Sequence, residues 1–284
     1  MPSIFAKNVT DEKNATFDGE AAFLQQRVPE YHQAQLEQQA NTMIGTAKKM
    51  ICWPALVGQG LLAIAGLVCL RVFLDTWLPE EGTGTVRWPL VAIFAACAAG
   101  FGLLEWYSRR RKKQIEQSDE YQLTEQHLES AADTSRVLLG VPADAADIEV
   151  LGYDYKLKNG KEKRTDSWDY DTCCYYAFVQ DGALMLADSE EKYAIPLSAV
   201  TAVRHRHEKT KVWLWMKDDQ PKAEPYKPYK IKYDEENDVY TLPAVYALTV
   251  SHNGEEWELV LAEYEWDAVL QPLVGDRLPA PTEE

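Results

Sequence analysis

Hydrophobic and polar positions divide the chain into three textures. Positions 50–70 run for 21 residues without a charge. At about 1.5 Å per helical residue they span roughly 31 Å, the thickness of a bilayer's hydrocarbon core. A second uncharged run, 88–104, is 17 residues long. It sits at the short limit for spanning, and Glu105, Trp106 and Tyr107 lengthen it into the headgroup layer. Both runs are apolar on every face rather than along one stripe. Aromatic residues stand near their ends, at Trp53, Trp77, Trp88, Trp106 and Tyr107. The pattern predicts two transmembrane helices, 50–74 and 88–107, joined by a short loop over 75–87, in preference to a buried hairpin inside a globular protein. Ala92, Ala96 and Gly100 recur four apart on the second span, and Gly58, Ala63 and Gly66 offer the first a matching close approach. Gln59 is the one strongly polar side chain at mid-span, too little for an ion pathway.

The flanks are polar and rich in helix formers. Residues 1–16 read as a disordered polar tail. With Asp11, Glu12, Asp18 and Glu20, the first 20 residues lack the apolar stretch of a signal peptide. Residues 17–49 predict a helix feeding the first span. The same composition returns over 108–142, with Ile115, Tyr121, Leu128 and Leu139 as seam positions and Gly140 and Pro142 as a stop. Lys48 and Lys49 precede the first span and Arg109, Arg110, Arg111, Lys112 and Lys113 follow the second, whereas the loop carries only Arg71 and Arg87 at its edges. The positive-inside rule therefore places both termini in the cytoplasm and the loop outside the cell membrane. Two glycosylation triplets, Asn8-Val-Thr10 and Asn14-Ala-Thr16, point the other way and are outweighed by this asymmetry.

From residue 143 the texture changes to short alternating segments divided by turns. Strands are expected over 148–158, 173–180, 183–188, 192–196, 200–207, 211–217, 227–233, 243–252 and 256–262. Asn159-Gly160, Asp181-Gly182 and Asn253-Gly254 serve as hairpin signals. The last element, 264–274, puts Trp266, Val269, Leu270 and Leu273 on one helical face. The expected fold class is thus an α+β membrane protein. A two-helix hairpin with long cytoplasmic helical extensions leads into a small β-barrel or sandwich, residues 143–275, plugged by a C-terminal helix and followed by a tail at 276–284.

The stretch Val179-Gln-Asp-Gly-Ala-Leu-Met-Leu-Ala-Asp-Ser189, followed by Tyr193-Ala-Ile-Pro-Leu-Ser-Ala-Val-Thr-Ala-Val203, resembles the bacterial pleckstrin-homology-like (PH-like) domain, related in style to GRAM. A transmembrane hairpin ahead of such a domain is similar to uncharacterised bacterial membrane families of the YcxB-like kind. The resemblance covers about half of the chain. It implies a fold and a membrane-proximal binding role, and it supplies no catalytic residues.

Composition narrows the functional classes. Residues 140–284 carry 16 Lys and Arg against 29 Asp and Glu, a balance that disfavours binding to a polyanionic nucleic acid. Cys52, Cys69 and Cys97 fall in the spans, and Cys173 and Cys174 are strand neighbours pointing to opposite faces, so none is expected in a disulfide. No phosphate loop, dinucleotide fingerprint, nucleophile elbow or metalloprotease motif is present, and no cofactor or metal is expected. His205 and His207 share one strand face, which would be half of a metal site, but without a clear third ligand they read as a solvated edge.

Two constellations remain. Lys158, Lys161, Lys163 and Arg164 lie in the connection that, in eukaryotic relatives of the resembled fold, supplies phosphate-binding cations. Trp213, Trp215, Tyr226 and Tyr229 form an aromatic stretch suited to a peptide or to ordinary cross-strand packing. The leading expectation is a membrane-anchored, non-enzymatic interaction module for a protein partner. Anionic-lipid binding by the basic loop is the alternative, and an enzyme whose residues leave no motif is the third reading.

Overall fold

The computed structural model describes residues 2–9, 15–77, 87–159, 161–164, 169–213, 226–235, 237 and 239–284. It divides into a β unit, Met1–Glu30 with Asp133–Glu284, and a helical unit, Tyr31–Ala132.

The chain's start is built into the β unit, and this corrects the expectation of a disordered tail. Ile4, Phe5, Ala6, Ala15 and Phe17 are buried. Ser3 exchanges backbone hydrogen bonds with Tyr153 (3.0 and 2.6 Å), and Ala6 exchanges them with Glu258 (3.2 and 2.7 Å). Gly152 permits this passage, because a Cβ there would lie 2.8 Å from Pro2 Cβ. The apolar triplet Ile4-Phe5-Ala6 supplies the driving force, at about 1.5–3 kcal/mol for each large side chain fully buried. The single helix expected over 17–49 is also interrupted. A short α1 (Gly19–Phe23) leads to a strand β1 (Leu24–Arg27), and a helix resumes only at α2 (Glu30–Met50). Leu24-Gln-Gln-Arg27 favours helix locally, but sheet pairing overrides propensity, and Val28 is biased toward extended backbone by Pro29 behind it.

The helical unit continues with α3 (Trp53–Trp77), α4 (Trp88–Glu116) and α5 (Asp119–Leu138). Pro54 and Pro89 sit in first turns, where a missing N–H costs nothing. Ser118 Oγ accepts the Tyr121 N–H at 3.3 Å and starts α5. Past the end of α5, Gly140 takes φ +67° and Val141 N–H reaches the Arg136 carbonyl at 2.8 Å, the Schellman closure that the sequence signalled. His32 of α2 meets the Ala131 carbonyl of α5 at 3.1 Å, and Lys49 pairs with Glu120 at 2.9 Å, so the two helices run antiparallel. In the hairpin, Gly66 faces Phe94 and Cys97, Gly100 faces Leu62, and Gln59 donates to Glu105 Oε2 at 2.9 Å. Leu56, Leu61, Ile64, Leu67, Phe101 and Leu103 are exposed. Among the described residues, α3 buries only Ala55 and Gly66, and α4 buries none. Both helices are long and apolar enough to cross a membrane.

The β unit then adds β2 (Ala146–Tyr153), β3 (Tyr155–Lys158), β4 (Lys161–Arg164), β5 (Asp169–Gln180), β6 (Ala183–Ala187), β7 (Glu191–Pro196) and β8 (Val200–Arg206). These are followed by β9 (Thr210–Trp213), β10 (Lys232–Asp234), β11 (Val239–Leu242), β12 (Val245–His252), β13 (Glu255–Ala262) and β14 (Thr282–Glu283). The main path runs β1-β7-β6-β5-β2-β13-β12-β8-β14 and is mostly antiparallel. The short two-stranded sheet β3-β4 stands apart. The sheet does not close, so it is an open sheet and not a barrel, one of the two forms expected. It ends at β1 on one side and at β14, parallel to β8, on the other. Asp181, Gly182, Asn253 and Gly254 all take positive φ at the two tight turns.

Period-two alternation sends side chains to both faces of the sheet. Tyr246, Leu248 and Val250 of β12 face a core shared with Phe5 and Phe23, while Val245 and Ala247 face one shared with Ala6 and Phe17. Residues 263–274 form the expected terminal helical run, wound as a π-helix over Trp266–Leu270, and they bury Trp266, Leu270 and Val274 in the first core.

Candidate functional site

Three groups of side chains merit weighing in the β unit. The first lies where β8 meets the C-terminal strand. His205, and His207 just beyond β8, are two apart and so share a face, and their rings lie 4.2 Å apart. β14 brings Glu283 into register with His205. His207 Nε2 is 2.6 Å from Glu283 Oε2, and His205 Nδ1 is 3.4 Å from the same oxygen. The His207 hydrogen bond holds the Glu283 carboxyl below its usual range. On the far side of the His205 ring, Nε2 lies 3.2 Å from Glu263 Oε1 but off the hydrogen-bond line, which leaves this buried nitrogen without a hydrogen-bond partner. The ring is clamped by stacking on Tyr246 at 4.4 Å, and Tyr246 in turn stacks on Trp266. The next residue, Arg206, grips Glu258 with two guanidinium nitrogens, and Tyr153 donates its hydroxyl to the same carboxylate. The third partner for the histidines was invisible in sequence, because Pro281-Thr-Glu-Glu284 carries no strand signal.

The second group is the basic hairpin. Register pairs Lys158 with Lys161, Lys156 with Lys163, Leu157 with Glu162 and Tyr155 with Arg164. Paired residues and their i+2 neighbours share a face, so Lys156, Lys158, Lys161 and Lys163 form one exposed four-lysine face. Lys156 was missed in the sequence, where it reads as an ordinary strand residue. Among the described residues, none of the four lysines forms an ion pair with a carboxylate. Glu162 is engaged instead with the Phe17 N–H at 2.9 Å, beside the stack of Phe17 on Tyr155.

The third group is the aromatic stretch, whose described members do not share one surface. Trp213 is 47% exposed, whereas Tyr226 is buried. Tyr226 and Tyr229 both meet the Tyr264 ring edge-on, and Tyr264 donates to Glu149 at 2.8 Å. Trp215 lies outside the described residues. A cavity of about 460 Å³ has Glu20, Cys173, Asp188 and Tyr193 in its lining, but Glu20 and Asp188 have structural duties. Glu20 accepts from Ser3 Oγ and Ile4 N–H, and Asp188 accepts the N–H groups of Glu190 and Glu191. Burial pushes the Cys173 thiol up to about 12, which removes it as a nucleophile. No protein-family model matches the chain, and neither a curated protein nor a solved structure matches it.

Proposed function

We propose that the chain is a two-span protein of the cell membrane, and that its β unit is a PH-like, non-enzymatic interaction module held at the cytoplasmic face for a protein partner. The observation that carries the anchor is the exposure of the α3–α4 hairpin, where leucine, isoleucine and phenylalanine side chains stand outward along both helices. Exposed apolar surface costs about 25 cal/mol per Å² in water and nothing in lipid. Lys48, Lys49 and the run from Arg109 to Lys113 favour the orientation with both termini inside. The PH-like reading is supported by the β5-β6-β7 meander, the helical run over 263–274 that packs on the sheet, and the Ile195-Pro-Leu-Ser198 segment. For the partner, β10, which pairs with β11, is exposed at all three positions and presents the Tyr233 ring, an aromatic side chain suited to an interface.

Affinity capture from native membranes tests this reading. The full chain retains a protein that residues 31–132 alone do not, and Tyr233→Ala, which removes the exposed ring, lowers that retention. A partner held equally well by residues 31–132 contradicts the module role.

The four-lysine face favours a second reading, anionic-lipid binding. Like charges directly opposite each other destabilise a strand pair by about 0.2–1 kcal/mol, and an anionic headgroup offsets that repulsion. The acidic balance of the domain opposes the reading, though screening within about 8–10 Å weakens the opposition. A chain in which a flexible linker replaces residues 31–132 is suited to vesicle flotation, since Gln26 and Leu138 already meet at 2.9 Å. Flotation on anionic but not neutral vesicles, lost on changing Lys156, Lys158, Lys161 and Lys163 to Glu, supports lipid binding; flotation unchanged by the four substitutions excludes it.

A further inference from the structure

We propose that His205, His207 and Glu283 form a binding site for one divalent transition-metal ion of the zinc class. The ligand atoms of the three residues all lie within 4.8 Å of one another. Two imidazoles and one carboxylate form a borderline-soft donor set that suits zinc and its neighbours rather than magnesium or calcium, which take oxygen ligands. A tetrahedral ion with bonds of about 2.0–2.1 Å sets its donors about 3.3–3.4 Å apart. His205 Nδ1 and Glu283 Oε2 already stand at 3.4 Å. The His207–Glu283 pair, at 2.6 Å, has to open. Both side chains are well exposed, at 59% and 72%, which leaves room for that opening.

The environment of His205 makes this more than a surface cluster. The residue is more than nine-tenths buried and wedged on Tyr246, so its ring direction is fixed before any ion arrives. Glu263 Oε1 stands 3.2 Å from Nε2, so a small rotation of this carboxylate makes it the acceptor for an Nε2 proton and leaves the Nδ1 lone pair facing Glu283 and His207. A carboxylate behind a ligating histidine is the usual second-sphere support, and its loss typically weakens metal binding. Three protein ligands leave a fourth position for water or for a donor from another molecule.

The ion would also fasten the end of the chain. β14 is two residues long and rests on β8 through few backbone bonds, among them Glu284 N–H to the His205 carbonyl at 2.9 Å. Coordination by Glu283 ties that strand to the β8 edge, so occupancy decides whether the edge is covered or open to pairing. This site depends on the β unit alone and not on membrane insertion.

The test is calorimetric titration of Zn²⁺ into untagged, full-length, detergent-solubilised protein stripped with a chelator. One saturable equivalent is expected, lost in the double variant His207→Ala/Glu283→Gln and weakened about 10–100-fold in Glu263→Gln. Hydrogen exchange on the wild-type protein provides a readout that needs no variant: zinc slows exchange at the His207 and Glu284 amides. Absence of saturable uptake, uptake unchanged in the double variant, or exchange at those amides unaltered by zinc would overturn the proposal.

Discussion

Leu248 and Leu67 are the same residue in opposite surroundings. Leu248, on β12, has no exposed surface and belongs to the core that also holds Phe5, Trp266 and Leu270, whereas Leu67, on α3, is 65% exposed among other exposed leucines and valines. The β unit satisfies its apolar side chains internally, down to recruiting Ile4 and Phe5 from the start of the chain. The helical hairpin leaves its own unsatisfied. Two regions of one polypeptide thus treat identical side chains in opposite ways, which on the proposed reading matches water around the first and hydrocarbon around the second.

The difference can be broken at the recruited segment, where the largest effect is expected. Phe5→Ala removes a fully buried ring packed at 4.6 Å on Phe23 and should cost about 3–5 kcal/mol in denaturant unfolding followed by the fluorescence of Trp257 and Trp266. A cost near zero would return the segment to the status of a tail. The two leucines themselves give the sharpest contrast. Leu248→Ala should cost about 2–5 kcal/mol in the same assay, and Leu67→Ala should stay within about 0.5 kcal/mol. Conversely, Leu67→Arg should leave that unfolding curve in place while costing about 2.5–3.5 kcal/mol in a membrane-insertion assay.

Smaller effects sharpen the picture inside the β unit. Lys161→Glu turns a like-charge cross-strand pair with Lys158 into an opposite-charge one, so the hairpin should gain about 0.2–1 kcal/mol, read from amide exchange over β3 and β4. The smallest effect concerns pH. Burial raises the Glu20 carboxyl above its ordinary 4.5, against the opposing pull of its Ser3 and Ile4 hydrogen bonds. The folded state therefore binds a proton more tightly than the unfolded one. This contribution is fully present below the unfolded pKa and is lost as pH rises through the raised folded value. Glu20→Gln keeps the acceptor oxygen and should flatten that decline; an unchanged pH profile would show the group to be unperturbed.

Legibility in the sequence followed the range of the forces involved. Features set by local chemistry were readable: the two uncharged helices, the Gly140 stop, the Asp181-Gly182 and Asn253-Gly254 turns, and Trp266 and Leu270 on one face of the last helix. Features set by distant pairing were not. β1 pairs with β7 across more than 160 positions and uses residues that locally favour helix. The run expected as one strand over 148–158 divides at Asp154 into β2 and β3, and that expected over 227–233 becomes a 3₁₀ turn, Lys227–Tyr229, ahead of β10. Glu283 reaches His205 only through a parallel strand pair. The lysine face was half legible: the charges were evident, but only the register places Lys156 among them and sets Glu162 apart.

Side-specific labelling of single cysteines tests the central claim most directly, because the anchor and the side on which the β unit works stand or fall together. In a background lacking the five native thiols, cysteines at Thr83, between α3 and α4 in sequence and outside the described residues, and at the exposed Ser189 are treated with a membrane-impermeant maleimide in intact cells. The account predicts labelling at Thr83 and none at Ser189 until the cells are opened. Labelling at Ser189 in intact cells, or protection of Thr83, would contradict it.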